Sequence, residues 1–282
     1  MPESLKSPSP PHPWTGEYFE YRRDVIRGIF HDASVLADFA ARRPLPPGHG
    51  VGLDERCVEY PWALAALKPG PGRLLDAGSA LNHPELLDLP AFTGKTMHIL
   101  TLAPESHCAW SAGISYIYAD LRDIPMRDGF YERIISISTL EHVGFDNSVF
   151  AGEAHRQCAP SDAYKRALGE LGRVLTPGGE LLVTLPFGRR ENLRMAQQFD
   201  SAMLAEFIQA FDPALAEKTF YRYSLEGWQL AEEAACAEAS YAGWAIDYFM
   251  NPHGYDLAAA PVDADKAPAA RAVACLRLVK RG

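Results

Sequence analysis

Three short stretches hold residues whose types and spacing can do chemistry. Ser138-Thr139-Leu140-Glu141-His142 gathers two hydroxyls, a carboxyl and an imidazole within five residues. A histidine titrates near neutral pH, so Glu141 and His142 are candidates to orient a hydroxyl or to take its proton. Asp76-Ala77-Gly78-Ser79 sets an acid before a glycine that lacks a Cβ. Such a turn lets a ligand approach the backbone, and Asp76 can order the ligand's polar end. Asp120-Leu121 offers a carboxylate that can accept from an exocyclic amine such as adenine's, with the next backbone N–H for a ring nitrogen. Each stretch also has a plainer reading. These are a strand-to-helix turn at Gly78, an Asx-turn or helix cap at Asp120, and a helix start at Glu141.

The elements that must carry these residues follow from periodicity. RLLDA (73–77), MHILTL (97–102), ISYIYA (114–119), RIISIS (133–138) and ELLVTLPF (180–187) are short apolar strands. AYKRALGELGRVL (163–175) is amphipathic, and TPGG turns it into the fifth strand. Strands alternating with helix-length connections call for an α/β fold with parallel pairing and right-handed crossovers. Three strand ends therefore carry the three chemical stretches, where ligands bind in open parallel sheets. Upstream, 14–43 reads as one helix with Ile26, Ile29, Phe30, Ala33, Leu36 and Ala37 on one face, and 54–67 as a second. Downstream, 199–211 and 225–240 read as helices, and 218–223 as a strand. RAVACLRLVK (271–280) closes the chain as an antiparallel edge strand. About seven strands are expected, with helices on both faces. The domain reading is a disordered Pro/Ser-rich tail (1–13), an N-terminal helical cap (14–70) and an α/β domain (71–282). Within that domain, 188–265 walls an acceptor site.

Composition narrows the partners. The 282 residues carry a formal net charge of −9, which argues against a nucleic-acid backbone as partner. The five cysteines are scattered with no CxxC pair, so no disulfide framework or metal site is expected. No apolar run is long enough to span a bilayer and the N-terminus has no apolar leader, so a cytoplasmic protein without membrane insertion is expected.

Taken in order, LLDAGSALN, ADLRDIPMRDGFYE, STLEHVG and RVLTPGGELLV resemble the motif series of class I S-adenosylmethionine-dependent methyltransferases, in the small-molecule branch. The match spans about residues 73–187. DERCVEYPW, LDAGSALNHPEL and ISTLEHVGFDN also resemble bacterial methyltransferase-like proteins associated with cell-surface polysaccharide synthesis. The resemblance implies a Rossmann-like fold and S-adenosylmethionine as cofactor. Asp76, Gly78 and Ser79 fall on its donor-binding turn. Asp120 falls on the adenine-side acid, with Leu121 offering its backbone. Ser138 and Thr139 fall near the methionine moiety, and Arg56 is placed to pair with that moiety's carboxylate. Two departures stand out. Ala80 and Asn82 replace later glycines of the turn, and Thr101 replaces the acid that grips the ribose hydroxyls, with Glu105 the nearest substitute.

The implied activity is methyl transfer to a small-molecule or glycan acceptor, through a hydroxyl that Glu141 or His142 would deprotonate. Asp146 and His155 are reserves, and Trp62, Trp228, Tyr221 and Tyr223 are candidates to line the acceptor pocket. Thr101 keeps open a non-catalytic binding or assembly protein with a weakened donor site. A nicotinamide enzyme would need GxGxxG and an acid some 20 residues on, which are missing.

Overall fold

The computed structural model describes residues 10–152 and 162–282. Its centre is an eight-stranded sheet in the order β3-β2-β1-β4-β5-β10-β8-β9. The strands β1 (Gly72–Ala77), β2 (Lys95–Thr101), β3 (Ser115–Tyr118), β4 (Tyr131–Ile137) and β5 (Leu175–Pro186) are mutually parallel. β8 (Leu215–Ser224) and β9 (Gly227–Ala231) form a hairpin, and β10 (Ala272–Val279) runs antiparallel between β5 and β8. β6 (Glu191–Asn192) and β7 (Gln197–Gln198) make a separate small ribbon. The run 3-2-1-4-5 is the order of a doubly wound sheet, whose switch point lies between β1 and β4.

Alternation along the strands divides the core in two. Leu74, Ile99, Ile135 and Leu182 face one side, where they meet α1 (Gly16–His31), α2 (Ala33–Ala41) and α3 (Arg56–Ala65). Their neighbours Leu75, Leu100, Ile134 and Leu181 face the other, under α6 (Tyr164–Val174) and α7 (Ser201–Phe211). Successive strand residues point to opposite faces, so one sequence feeds both layers. The crossovers are leaner than expected. The short α4 (Pro84–Leu87) and a 3₁₀ turn at Pro90–Phe92 lie between β1 and β2, and a single 3₁₀ turn at Trp110–Ala112 lies between β2 and β3. The segment 14–70, expected as a cap, supplies a helical layer of the sheet itself.

Several expectations are corrected. The helix read over 14–43 breaks at Asp32, whose carboxylate accepts the amides of Ser34 (2.9 Å) and Val35 (3.3 Å) and so caps α2. The sheet has eight strands where about seven were expected, and β10 is interior rather than an edge. The helix read over 225–240 is β9 followed by the short α8 (Glu233–Cys236). Gly227 turns the hairpin at positive φ, and the buried Trp228 indole donates to the Leu53 carbonyl at 2.9 Å. That anchoring overrides the local helix preference. Of the tail read as disordered, residues 1–9 lie outside the described residues, while Pro10 packs on Gly52 and His12 meets the Trp244 ring edge-on at 6.3 Å.

α3 carries a proline at its centre. Pro61 has no N–H to give the Cys57 carbonyl, and that carbonyl instead accepts the His49 Nε2–H at 3.0 Å. The helix stays intact around Glu59, which matters below. The last helices are α5 (Ser148–Ala151) and α9 (Gly243–Met250). Among the described residues no helix is long and apolar enough to cross a membrane, and no three His, Cys, Asp or Glu residues are grouped to hold a metal. Cys57, Cys108, Cys236 and Cys275 are free thiols, and Cys158 lies outside the described residues.

Candidate functional site

The carboxyl ends of β1 to β5 open into one cavity of about 670 Å³. This is where a doubly wound sheet binds ligands, and the size suits a small molecule. Arg56, Gly78, Thr101, Asp120, Leu121, Ser138, Thr139, Glu141 and His142 all line it. Asp76 and Ser79 do not.

Gly78 follows β1 with φ +120°, a value that side-chain-bearing residues rarely adopt. A Cβ there would lie 2.7 Å from Thr139 Cβ and closer still to the threonine's Oγ1 and Cγ2. The glycine thus lets the loops after β1 and β4 touch. Asp76 sits beneath the turn, fully buried, and its Oδ2 accepts the Leu81 amide at 2.9 Å. Burial pushes its carboxyl up to about 7, against the lowering effect of that hydrogen bond. Asp76 thus lies outside the cavity lining and holds the turn from behind, with its Oδ1 buried and unpartnered. Ser79, at φ +63°, has a buried hydroxyl without a partner.

The two departures noted in the sequence meet in space. Thr101 ends β2 in the cavity wall, and Glu105 reaches the same wall from the following loop. The Asn82 amide holds Glu105 there, donating at 2.8 Å to Oε2 and at 3.0 Å to the His107 carbonyl. Tyr116 in β3 donates its hydroxyl to Asn82 Oδ1 at 2.8 Å, fixing the amide's orientation. Asp120 lines the cavity but is engaged by Arg122. Its Oδ1 accepts the Arg122 amide (2.8 Å) and Nε (2.9 Å), and its Oδ2 accepts Nη2 (2.6 Å). The Asx-turn reading therefore holds in geometry, and any ligand amine would share this carboxylate with a guanidinium.

After β4, Ser138 takes a left-handed φ of +41°. The strain is braced by Glu59 of α3, fully buried, whose Oε1 accepts the hydroxyls of Ser138 (2.6 Å) and Thr184 (2.7 Å). Glu59 Oε2 pairs with Arg56. Arg56 is thus a half-buried residue of the wall, paired with a fully buried acid. His142 donates Nδ1–H to the Met195 carbonyl at 2.8 Å, which leaves Nε2 as the basic nitrogen of the neutral ring. Burial drives its pKa down to about 4, reinforced by the Arg56 charge. The expectation of a histidine titrating near neutrality is corrected by this burial. Glu141 is 2% exposed, one of its oxygens has no partner, and burial holds its carboxyl well above the usual range.

Sequence reasoning missed the far half of the cavity. Asp54 and Glu55 ahead of α3, Arg22 of α1, Trp14, Tyr241 and Phe249 all line it. Arg22 pairs with Asp54 at 2.5 Å. Glu55 is 9% exposed, with one oxygen unpartnered, and its carboxyl is pushed up to about 8 by burial and by the charges of Glu59 and Asp54. The available signal was acids within an apolar run: Glu59 stands among Val58, Tyr60, Pro61 and Trp62. The aromatics named from sequence are elsewhere. Tyr221, Tyr223 and Trp228 are core, and Trp62 is a buried residue of α3. Asp146 accepts the Ser148 amide at 2.9 Å at the start of α5, and His155 lies outside the described residues.

No protein-family model matches the sequence, and no curated protein matches it. Solved structures similar to the chain are methyltransferases for the most part. One is 1,6-didemethyltoxoflavin-N1-methyltransferase from Burkholderia thailandensis, at 12% identity and TM-score 0.45, covering 94% of this chain and 90% of that one. A SAM-dependent methyltransferase from Thermotoga maritima has 12% identity and TM-score 0.47, covering 92% of this chain and 100% of that one. The YcgJ protein of Bacillus subtilis has 13% identity and TM-score 0.46, covering 79% and 98%. Likeness at this level does not carry function between chains. The class rests on the strand order and the cavity: a Rossmann-like α/β fold, mostly parallel, with helices on both faces and its binding site at the switch point.

Proposed function

We propose that this chain is an S-adenosylmethionine-dependent methyltransferase acting on a small-molecule acceptor. The observation that carries the reading is the contact of Gly78 with Thr139, which leaves no room for a Cβ and joins the loops after β1 and β4 at the cavity's inner wall. An adenosyl ligand laid along that wall would meet Leu121 and Asp120 at its base, Glu105 and Thr101 at its ribose, and Arg56 at its carboxylate. The residues fit the group: an open turn, an acid for a diol, and a cation for an acid.

When bound, S-adenosylmethionine supplies a methyl group on a sulfonium, an electrophile that needs no nucleophile from the protein. Position then carries most of the rate. Ser138 and Thr139 hold the wall beside the reacting end, braced through Glu59. Trp14, Tyr241 and Phe249 line the acceptor side with aromatic surface. Glu141 faces the same space. Neutral His142 can accept a hydrogen bond at Nε2, although a pKa near 4 makes it a weak base for a hydroxyl. The glycan acceptor and the role in surface-polysaccharide synthesis rest on sequence resemblance alone.

The alternative of a non-catalytic binding protein rests on Thr101, and the presence of Glu105 in the same wall, bonded to Asn82, supports the methyltransferase reading over it. Calorimetric titration with S-adenosylmethionine, and with NAD as control, tests the proposal. Saturable binding of the first and not the second is expected, and binding of neither would refute it.

A further inference from the structure

The acceptor end of the cavity has more carboxyls than cations. Asp54, Glu55 and Glu141 line it, and the fully buried Glu59 pairs with the lining residue Arg56. Arg22 is committed to Asp54 and Arg56 to Glu59. Glu55 and Glu141 remain, each more than nine-tenths buried, each with an oxygen that has no partner, and both in the cavity wall. Burial first and then the charge of Glu59 hold the Glu141 carboxyl up, with Glu55 a smaller contribution, and both Glu55 and Glu141 face the cavity that Tyr241 lines. Tyr241 feels both. A buried carboxyl without a partner costs free energy, and a cation of the right size removes that cost.

The aromatic walls suit the same ligand. Trp14 and Phe249 meet edge to face at 4.8 Å beside Tyr241. Trp14 is held at a left-handed φ of +65°, with its indole N–H on the Pro268 carbonyl at 2.9 Å. A side chain kept in a costly backbone conformation marks a constrained position. Ring faces attract cations. A neutral sugar or alcohol can donate a hydrogen bond to a carboxyl oxygen, but it brings no positive charge to the ring faces or to the carboxyls.

We infer that the acceptor is an amine, bound as its ammonium between Glu55 and Glu141 against the Trp14, Tyr241 and Phe249 rings, and methylated on nitrogen. The inference deepens the methyltransferase reading and replaces the hydroxyl acceptor. Binding of the cation expels one of the protons held on these two raised carboxyls, leaving one carboxylate to face the ammonium. The ammonium then returns one proton to the carboxylate pair. The freed nitrogen lone pair forms the N–C bond as the methyl's C–S bond breaks with its electrons kept by sulfur, leaving a thioether and a methylated ammonium. His142 is neutral above about pH 4, Arg22 is paired with Asp54, and Arg56 with Glu59.

The test is calorimetry at pH 7.5 with 2-phenylethylamine, tyramine, tryptamine and benzylamine, each against the alcohol of the same skeleton. At least one amine is expected to bind tenfold or more tightly than its alcohol. Repeating the titration in two buffers of different ionisation heat should show proton release on the wild-type protein, which does not depend on any variant folding. Glu55→Gln and Glu141→Gln, checked for melting temperature, should each reduce the amine preference about tenfold. The inference is overturned if no amine outbinds its alcohol, or if both variants keep the preference. S-adenosylmethionine is titrated separately. Its binding without an amine preference defeats this inference alone, and an amine preference without its binding defeats the methyltransferase reading alone.

Discussion

Glu105→Gln isolates the ribose contact. Glu105 is exposed and its structural partner is the Asn82 amide at 2.8 Å. An amide in its place keeps the size and one acceptor oxygen, so stability should change by less than about 0.5 kcal/mol. Toward a ligand diol the change is larger, because a carboxylate offers two oxygens with charge. A hydrogen bond to a charged group contributes about 1.5–3 kcal/mol, which is roughly ten- to a hundredfold in affinity. Asn82→Ala attacks the same contact from behind. It removes the bonds to Glu105, to the His107 carbonyl and from Tyr116. At about 0.5–1.5 kcal/mol each, the loss of stability should reach about 1.5–4.5 kcal/mol. Calorimetric titration with S-adenosylmethionine and with S-adenosylhomocysteine reads the affinity, and chemical denaturation reads the stability. Affinity in Glu105→Gln within twofold of wild type would show that Glu105 does not grip the ribose, and the departure at Thr101 would then have no structural answer.

The remaining predictions concern the walls of the same cavity. Gly78→Ala forces a Cβ into Thr139 at a φ of +120°, so it should destabilise the protein by about 2–4 kcal/mol; Thr139→Gly in that background should recover only the steric share, as denaturation curves would show. Asp76 has an ordinary value of 3.8 and about 7 in the fold, so its protonated form is favoured by folding, and the stability it contributes is complete below 3.8 and lost as pH rises toward 7. Asp76→Asn should therefore flatten the fall in melting temperature over that window; His142, shifted down from 6.5 to about 4, acts with the opposite sign and is common to both proteins. For the same reason, His142→Ala should leave the pH–rate profile between pH 5 and 8 without a lost inflection, and disappearance of one would contradict the burial of His142. Glu59→Gln leaves Arg56 without its buried counter-charge, and a loss of about 3–5 kcal/mol in denaturation is expected.

Much of the sheet was legible because a two-residue period and a turn residue are local signals. The first five strands, the turn at Gly78 and the strand-end stretches at Asp120 and Thr139 lie where the pattern puts them. What failed locally failed for tertiary reasons. The 225–240 segment has helix-favouring composition, and its pairing with β8 and the burial of Trp228 outweigh that preference. Asp32 breaks the first helix with a cap that the apolar period conceals. The partnership of Asp120 with Arg122 was readable as the Asx-turn alternative, while the depth of His142 was not, since the covering carbonyl belongs to Met195.

The site's own logic is non-local in a stronger sense. Asn82 and Thr101 looked like two independent losses along the chain, one of a glycine and one of an acid. In space they are one substitution, because the residue that crowds the turn is the residue that holds Glu105 in the cavity wall. The acceptor end follows the same rule: Glu55 and Glu141 are separated by most of the parallel sheet in sequence, and neither is unusual alone. Only the count of charges in a shared cavity wall, with Arg22 and Arg56 already taken, makes them a pair. A carboxyl's neighbours set its chemistry more than its motif does. Reversing that balance is therefore a sharper probe than deletion. Tyr241→Arg would place a third cation beside Glu55 and Glu141, and it should abolish amine binding while the Gly78 end of the cavity still binds the donor; loss of both together would mean that the two ends are not separable.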